Sequence, residues 1–163
     1  MSHLLKGCSL LIAAVGIAAC SEEQPARTAP PESQAVSDAL KSLRKPAPAG
    51  AVVYFISPVN GERVTSPVTV VFGLKGMGVA PAGVDKPDTG HHHLLIDTDL
   101  ANPNVPLPQD AAHLHFGDGQ TQAKLELPLG THRLQLVLGD HLHIPHEPPV
   151  ISEAITIEVI ASE

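Results

Sequence analysis

The chain has 163 residues, ten basic and 17 acidic side chains and a formal net charge of −7, with no Trp, one Tyr and three Phe. It carries neither a basic run nor the stacking rings that would sit with one, which argues against a nucleic-acid surface. Its two cysteines, Cys8 and Cys20, both lie near the N-terminus, so a disulfide framework or a zinc–cysteine cluster is not expected in the body of the protein.

Residues 1–19 read as a targeting segment. Met1 to Lys6 holds one lysine, and Gly7 to Ala19 is small or apolar almost throughout. That stretch is too short to span a bilayer as a helix and suits a signal h-region. It ends in Ile17-Ala18-Ala19-Cys20, which resembles the bacterial lipobox; the resemblance implies cleavage before Cys20, lipid on its sulfur and a membrane-anchored product. Ser21 after the cysteine, in place of aspartate, implies outer-membrane sorting, with the protein facing the periplasm. Several acyl chains together anchor a protein stably where a single one does not. Loss of Lys6 with the signal leaves nine cations against 17 acids, a net charge of −8.

Residues 20–50 then read as a tether. Ser21 to Pro31 is rich in Pro, Ala and Glu and has little to bury. A short helix is open over residues 32–45, where Val36, Ala39, Leu40 and Leu43 share one face, with more linker as the alternative. Pro46 and Pro48 stop any such helix.

Residues 51–163 change texture to short β-type runs punctuated by Pro and Gly. Strands are expected over 52–57, 68–74, 92–97, 123–127, 133–138 and 155–160. In several, apolar and polar residues alternate: Leu125 and Leu127 against Lys124 and Glu126, Leu134 and Leu136 against Arg133 and Gln135, Ile155 and Ile157 against Thr156 and Glu158. Each such strand buries one face and wets the other. Six or more of them predict an all-β, immunoglobulin-like antiparallel β-sandwich with a Val, Leu and Ile core. Ser66-Pro67-Val68-Thr69-Val70 resembles the start of strand B in bacterial immunoglobulin-like domains. Leu129-Gly130-Thr131-His132 sits where such domains place a corner tyrosine, so His132 is expected to bond backbone there, with metal ligation as its second reading.

Nine of the ten histidines fall between His91 and His146. Residues i and i+2 of a strand point to one face about 6.5 Å apart, close enough for two imidazoles to reach one ion. His91/His93, His113/His115 and His141/His143 have that spacing. Leu114 and Phe116 fall on the parity opposite His113 and His115. Leu94 and Ile96 looking inward would put His92 at the core edge and His91 and His93 on the other face. In His143-Ile144-Pro145-His146 the proline turns the chain, and two imidazoles on a stiff bend lose little entropy on ligation. The candidate ligands are therefore His91, His92, His93, His113, His115, His143 and His146, with His141, His132 and Met77 behind them. A polar histidine network that knits loops or senses pH is the competing reading. All-nitrogen donors suit copper first and zinc second; Met77 in Gly76-Met77-Gly78 offers a thioether for Cu(I), or a loop residue packed on the core.

The stretches from Leu74 to Gly83, Gly90 to Asp97, His113 to Gly117 with Gly119-Gln120-Thr121, and Leu138-Gly139-Asp140 with His143 to Val150 resemble the bacterial family called domain of unknown function 4399. The resemblance runs from about Val53 to Ile160 and implies an exported single domain without naming an activity. His141 matches no fixed position of that pattern. His113-Leu114-His115-Phe116-Gly117-Asp118 also resembles the His-x-His strand of copper–zinc superoxide dismutases, but the disulfide and zinc-loop spacing of those enzymes are missing.

Three functions follow as expectations: a metal-holding lipoprotein acting as carrier, buffer or sensor; a metalloenzyme; or a non-catalytic envelope interaction module. No HExxH, GxSxG or phosphate-loop motif favours the enzyme. Asp97, Asp118, Asp140 and Glu147 are its available bases, each otherwise a solvated loop charge.

Overall fold

A computed structural model describes residues 31–162, nearly all of them β-sheet and connecting loops. The residues read as a signal segment, Cys20 and the tether up to residue 30 lie outside the described residues. A single helix, α1, spans Pro31–Ser42, and nine strands follow, numbered in chain order. They are β1 (Val52–Ser57), β2 (Arg63–Thr65), β3 (Val68–Lys75), β4 (Gly78–Val79), β5 (Thr89–Ile96), β6 (His113–His115), β7 (Gln122–Leu125), β8 (Gly130–Gly139) and β9 (Ile155–Ile160). The six expected strands are all present, within a few residues at their ends. The three added ones, β2, β4 and β6, have two or three residues each, too few for an alternating pattern to register.

The strands form two sheets, β1-β3-β7 and β2-β9-β8-β5, the free edge of β5 being shared by β4 and β6. Pairing is antiparallel except at two short edges, where β2 runs parallel to β9 and β4 parallel to β5. The all-β sandwich expected from the sequence is thus present, mostly antiparallel with these two short parallel pairs.

The alternation seen in the sequence becomes the core between the sheets. Val53, Val68, Val70 and Phe72 from the smaller sheet meet Leu94, Leu134, Leu136, Leu138, Ile155, Ile157 and Val159 from the larger one, all buried. Each such side chain stabilises the fold by about 1.5–3 kcal/mol through removal of apolar area from water. The outer face of the larger sheet is not bare. Loop 97–112 lays Leu100 and Leu107 over Leu95 and Val137, making a second, smaller apolar cluster there.

Packing begins before residue 51. The Arg44 side chain is buried, and main-chain bonds from Ala47 N to Glu147 O and from Glu147 N to Lys45 O, each 2.8 Å, strap residues 44–47 along the loop after β8.

Candidate metal centre

Strand β5 carries its three histidines on two faces, because successive strand residues alternate. Leu94 pairs with Leu136 of β8 and Leu114 of β6 on the core side. His93 therefore points outward, paired with Val137 on one side and His115 on the other, and His91, two residues back, stands opposite Gly139 on the same face. The sheet thus delivers three imidazoles to one place.

The fourth comes from the loop after β8. Asp140, buried to 1 % exposure, accepts hydrogen bonds on Oδ1 from the amides of Leu142 at 2.8 Å and Ile144 at 3.0 Å. Its carbonyl accepts from His143 N at 2.9 Å, and Leu107 N donates to His143 O at 2.9 Å. These bonds hold His143 at φ +66°, a left-handed conformation uncommon for a residue with a Cβ.

The result is a cluster of His91, His93, His115 and His143 whose donor nitrogens all lie within 4.8 Å of one another. Nε2 of His91 stands 3.0 Å from Nε2 of His93 and 3.2 Å from Nδ1 of His143. The His91 ring meets those of His115 and His143 edge-on, at interplanar angles of 79° and 82°. Two glycines make the room. A Cβ on Gly139 would lie 2.8 Å from His93 Nε2, and one on Gly117 would lie 2.3 Å from His115 Cε1. Both are closer than a real side chain tolerates, so each backbone forms a wall against a ring.

Electrostatics favour the neutral form of His91, His93 and His115. Burial first, then the neighbouring imidazoles, pushes His91 down to about 4 and His93 to about 2. His115 is also lowered by burial and by His143, with Asp118 pulling the other way. Neutral imidazole is the form that offers a lone pair to a metal, so protons compete weakly for these nitrogens. Nδ1 of His91, Nδ1 of His93 and Nε2 of His115 are buried with no hydrogen-bond partner among the described residues.

The other candidates lie elsewhere. His92 points into the core, 5.2 Å from the Phe72 ring, both nitrogens without a partner among the described residues, because its parity is opposite to that of His91 and His93. His113 shares a strand face with His115, yet its Nδ1 is taken by Asp110 Oδ1 at 2.8 Å. His146 is buried against β8, with Nδ1 3.4 Å from Leu138 O; the chain turns at Asp140–His143 and not at Pro145, which bridges back to Gly139. His141 lies 3.7 Å from Asp85, and Met77 packs against the inter-sheet core. His132 sits at the sheet corner between Asp97 Oδ2 at 2.8 Å and Pro128 O at 3.1 Å, the backbone role foreseen for it.

Of the acids considered as bases, Asp140 is buried and organises the loop, unlike the solvated charge expected. Asp97 receives His132 and the amide of Arg133, and Glu147 pairs with Arg44. Three residues to which the sequence reading gave no part in the site shape it here, Gly117 and Gly139 as walls and Arg44, and Asp140, considered there only as a base, organises the loop. Arg44 donates to the carbonyls of Pro145 and His146, to Asn104 Oδ1 and to the Glu147 carboxylate. It therefore ties the strap to both loops that roof the cluster.

Fold and site together define an all-β sandwich with four histidines on the outer face of its larger sheet, placed so that they could hold a metal ion. The model of the family described as Domain of unknown function (DUF4399) matches residues 70–160, and the chain belongs to that family. No curated protein and no solved structure matches it.

Proposed function

We propose that this protein is an envelope lipoprotein, anchored through lipid on Cys20, that holds a transition metal ion, copper before zinc, as a carrier, buffer or sensor. The observation that carries the reading is the convergence of four imidazoles from three separate chain segments, β5, β6 and the loop after β8, within 4.8 Å. Chance places single histidines on surfaces; it does not bury His91 and His93 together and shape Gly117 and Gly139 around the cluster.

Holding is favoured over turnover by the number of donors. A catalytic metal keeps a coordination position open, commonly with three protein ligands and a water. Four imidazoles fill a tetrahedral set, and of the nearby acids Asp97, Asp118 and Glu147 are engaged with histidine, glutamine and arginine partners, while Asp140 Oδ1 takes two amides.

The test is elemental analysis of the full chain purified without a histidine tag, with calorimetric titration of Cu and Zn. One ion per chain is expected, lost in the His93→Ala, His115→Ala double variant. Absence of heat with either metal would end the proposal.

A further inference from the structure

We propose that the four-histidine centre selects monovalent copper over divalent copper and zinc. This rests on the metal-holding reading above and names the ion that the site takes.

The first ground is charge. All four donors are neutral imidazoles, so the filled site carries the whole charge of its ion. His91 and His93 are 0 % and 1 % exposed, and the Leu95–Leu107–Val137 cluster lies on the same sheet face beside them. The self-energy of a charge in such surroundings grows with its square, so a divalent ion costs about four times as much as a monovalent one before any compensation.

The second ground is that compensation is missing. Histidines on zinc almost always donate their other ring N–H to a carboxylate, a carbonyl or water, which raises their basicity. Here no protein acceptor among the described residues reaches Nδ1 of His91 or His93. The acids of the neighbourhood stand outside the donor set: Asp140 Oδ1 is bound by two amides and its Oδ2, buried without a partner among the described residues, is not one of the clustered atoms, while Asp118 is an exposed residue that pairs with Gln120.

The donor spacing fits a single ion. The 3.0 and 3.2 Å separations around His91 Nε2 lie between the edge of about 2.9 Å for a square and about 3.3 Å for a tetrahedron with metal–nitrogen bonds near 2.05 Å. Four of the six ring pairs stand edge-on and the other two are tilted at 43° and 38°. Selectivity therefore rests on charge, which disfavours Cu(II) and Zn(II) alike.

The experiment uses the full chain in detergent. Cu(I) is titrated anaerobically against bicinchoninate, and Cu(II) and Zn(II) are titrated against chelators of known affinity. Cu(I) is expected to be held about 100-fold more tightly than Cu(II), equivalent to a potential about 120 mV above that of the aqueous couple. Excess Zn(II) should not displace it. The His115→Asp variant, which adds one anionic donor at the more open edge, should shift preference towards Zn(II) by about tenfold. Displacement of Cu(I) by Zn(II), equal affinity for the two copper states, or no shift in His115→Asp would overturn the selectivity and leave metal holding intact. If none of the three ions binds, metal holding itself fails.

Discussion

Replacing Arg44 with alanine should weaken both the fold and the metal loop. Its side chain is 3 % exposed and donates to Pro145 O at 2.9 Å, Asn104 Oδ1 at 3.1 Å, His146 O and the Glu147 carboxylate. The Glu147 side chain is 52 % exposed, so solvent screens that pair and its own contribution is small. The larger loss comes from two loop carbonyls left without a donor and from the space left by the stem. Hydrogen bonds to a charged group are worth about 1.5–3 kcal/mol each but are not additive, so a total near 3 kcal/mol is expected. For a domain of this size that lowers Tm by about 10 °C. Because the freed loop carries His143, metal affinity should fall as well, by about tenfold, as when outer-shell partners of ligands are removed. Thermal denaturation followed by circular dichroism reads the first effect, and chelator competition well below the melting range reads the second. Arg44→Lys keeps the charge without the fork and should fall between. A loss under about 1 kcal/mol with unchanged metal affinity would refute the view that Arg44 clamps the loops.

Three further outcomes are expected. Gly139→Ala should reduce metal affinity by about tenfold or more while the sheet stays folded, since its Cβ would meet His93 Nε2 at 2.8 Å; unchanged chelator competition would contradict this. His115→Ala should abolish stoichiometric binding while His113→Ala leaves it intact, a contrast that calorimetry decides directly because only His115 joins the cluster. At His132, burial lowers the pKa, but the Asp97 hydrogen bond, the Pro128 carbonyl and the Asp97 charge outweigh it and the net shift is upward from 6.5. Its stabilisation is then complete below 6.5 and lost as pH rises through the raised value, so Tm should fall on the alkaline side in the wild type and less in His132→Gln; an NMR titration placing His132 at or below 6.5 would sink this.

Legibility in the sequence followed physical locality. Strands β8 and β9 could be read because Leu134, Leu136, Ile155 and Ile157 alternate with polar residues, half-buried in β8 and exposed in β9. The two-face assignment of β5 was weaker, since Leu94, Leu95 and Ile96 are all apolar. The structure gives the reason: Leu95 faces its own small cluster under loop 97–112, so both faces of the strand are covered. Spacing alone placed His113 with His115 and His143 with His146. It could not separate them, because the deciding contacts, Asp110 to His113 and Leu138 to His146, depend on how the loops close. In the sequence Gly139 and Asp140 stand only as part of the family resemblance, with Asp140 an available base. That the glycine makes room for a ring and the aspartate sets the conformation of His143 depends on what stands opposite in space.

The site sits on the outer face of the larger sheet, and that location bears on how it can be occupied. Strand β5 puts Leu94 into the inter-sheet core and His91 and His93 on the opposite face, so the register that aligns the core also aligns the ligands. A slip of one residue would exchange histidine for leucine across the sheet. Six register pairs with β8 and three with β6 oppose such a slip before any ion arrives, so the three strand-borne imidazoles are preset. His143 is different: its place depends on the Asp140 bonds and, through Pro145 and His146, on Arg44. Ordering a loop costs conformational entropy, whereas the strands have already lost theirs in folding. Variation in how firmly the ion is held should therefore arise in the loop and its strap, with the sandwich acting as a rigid base.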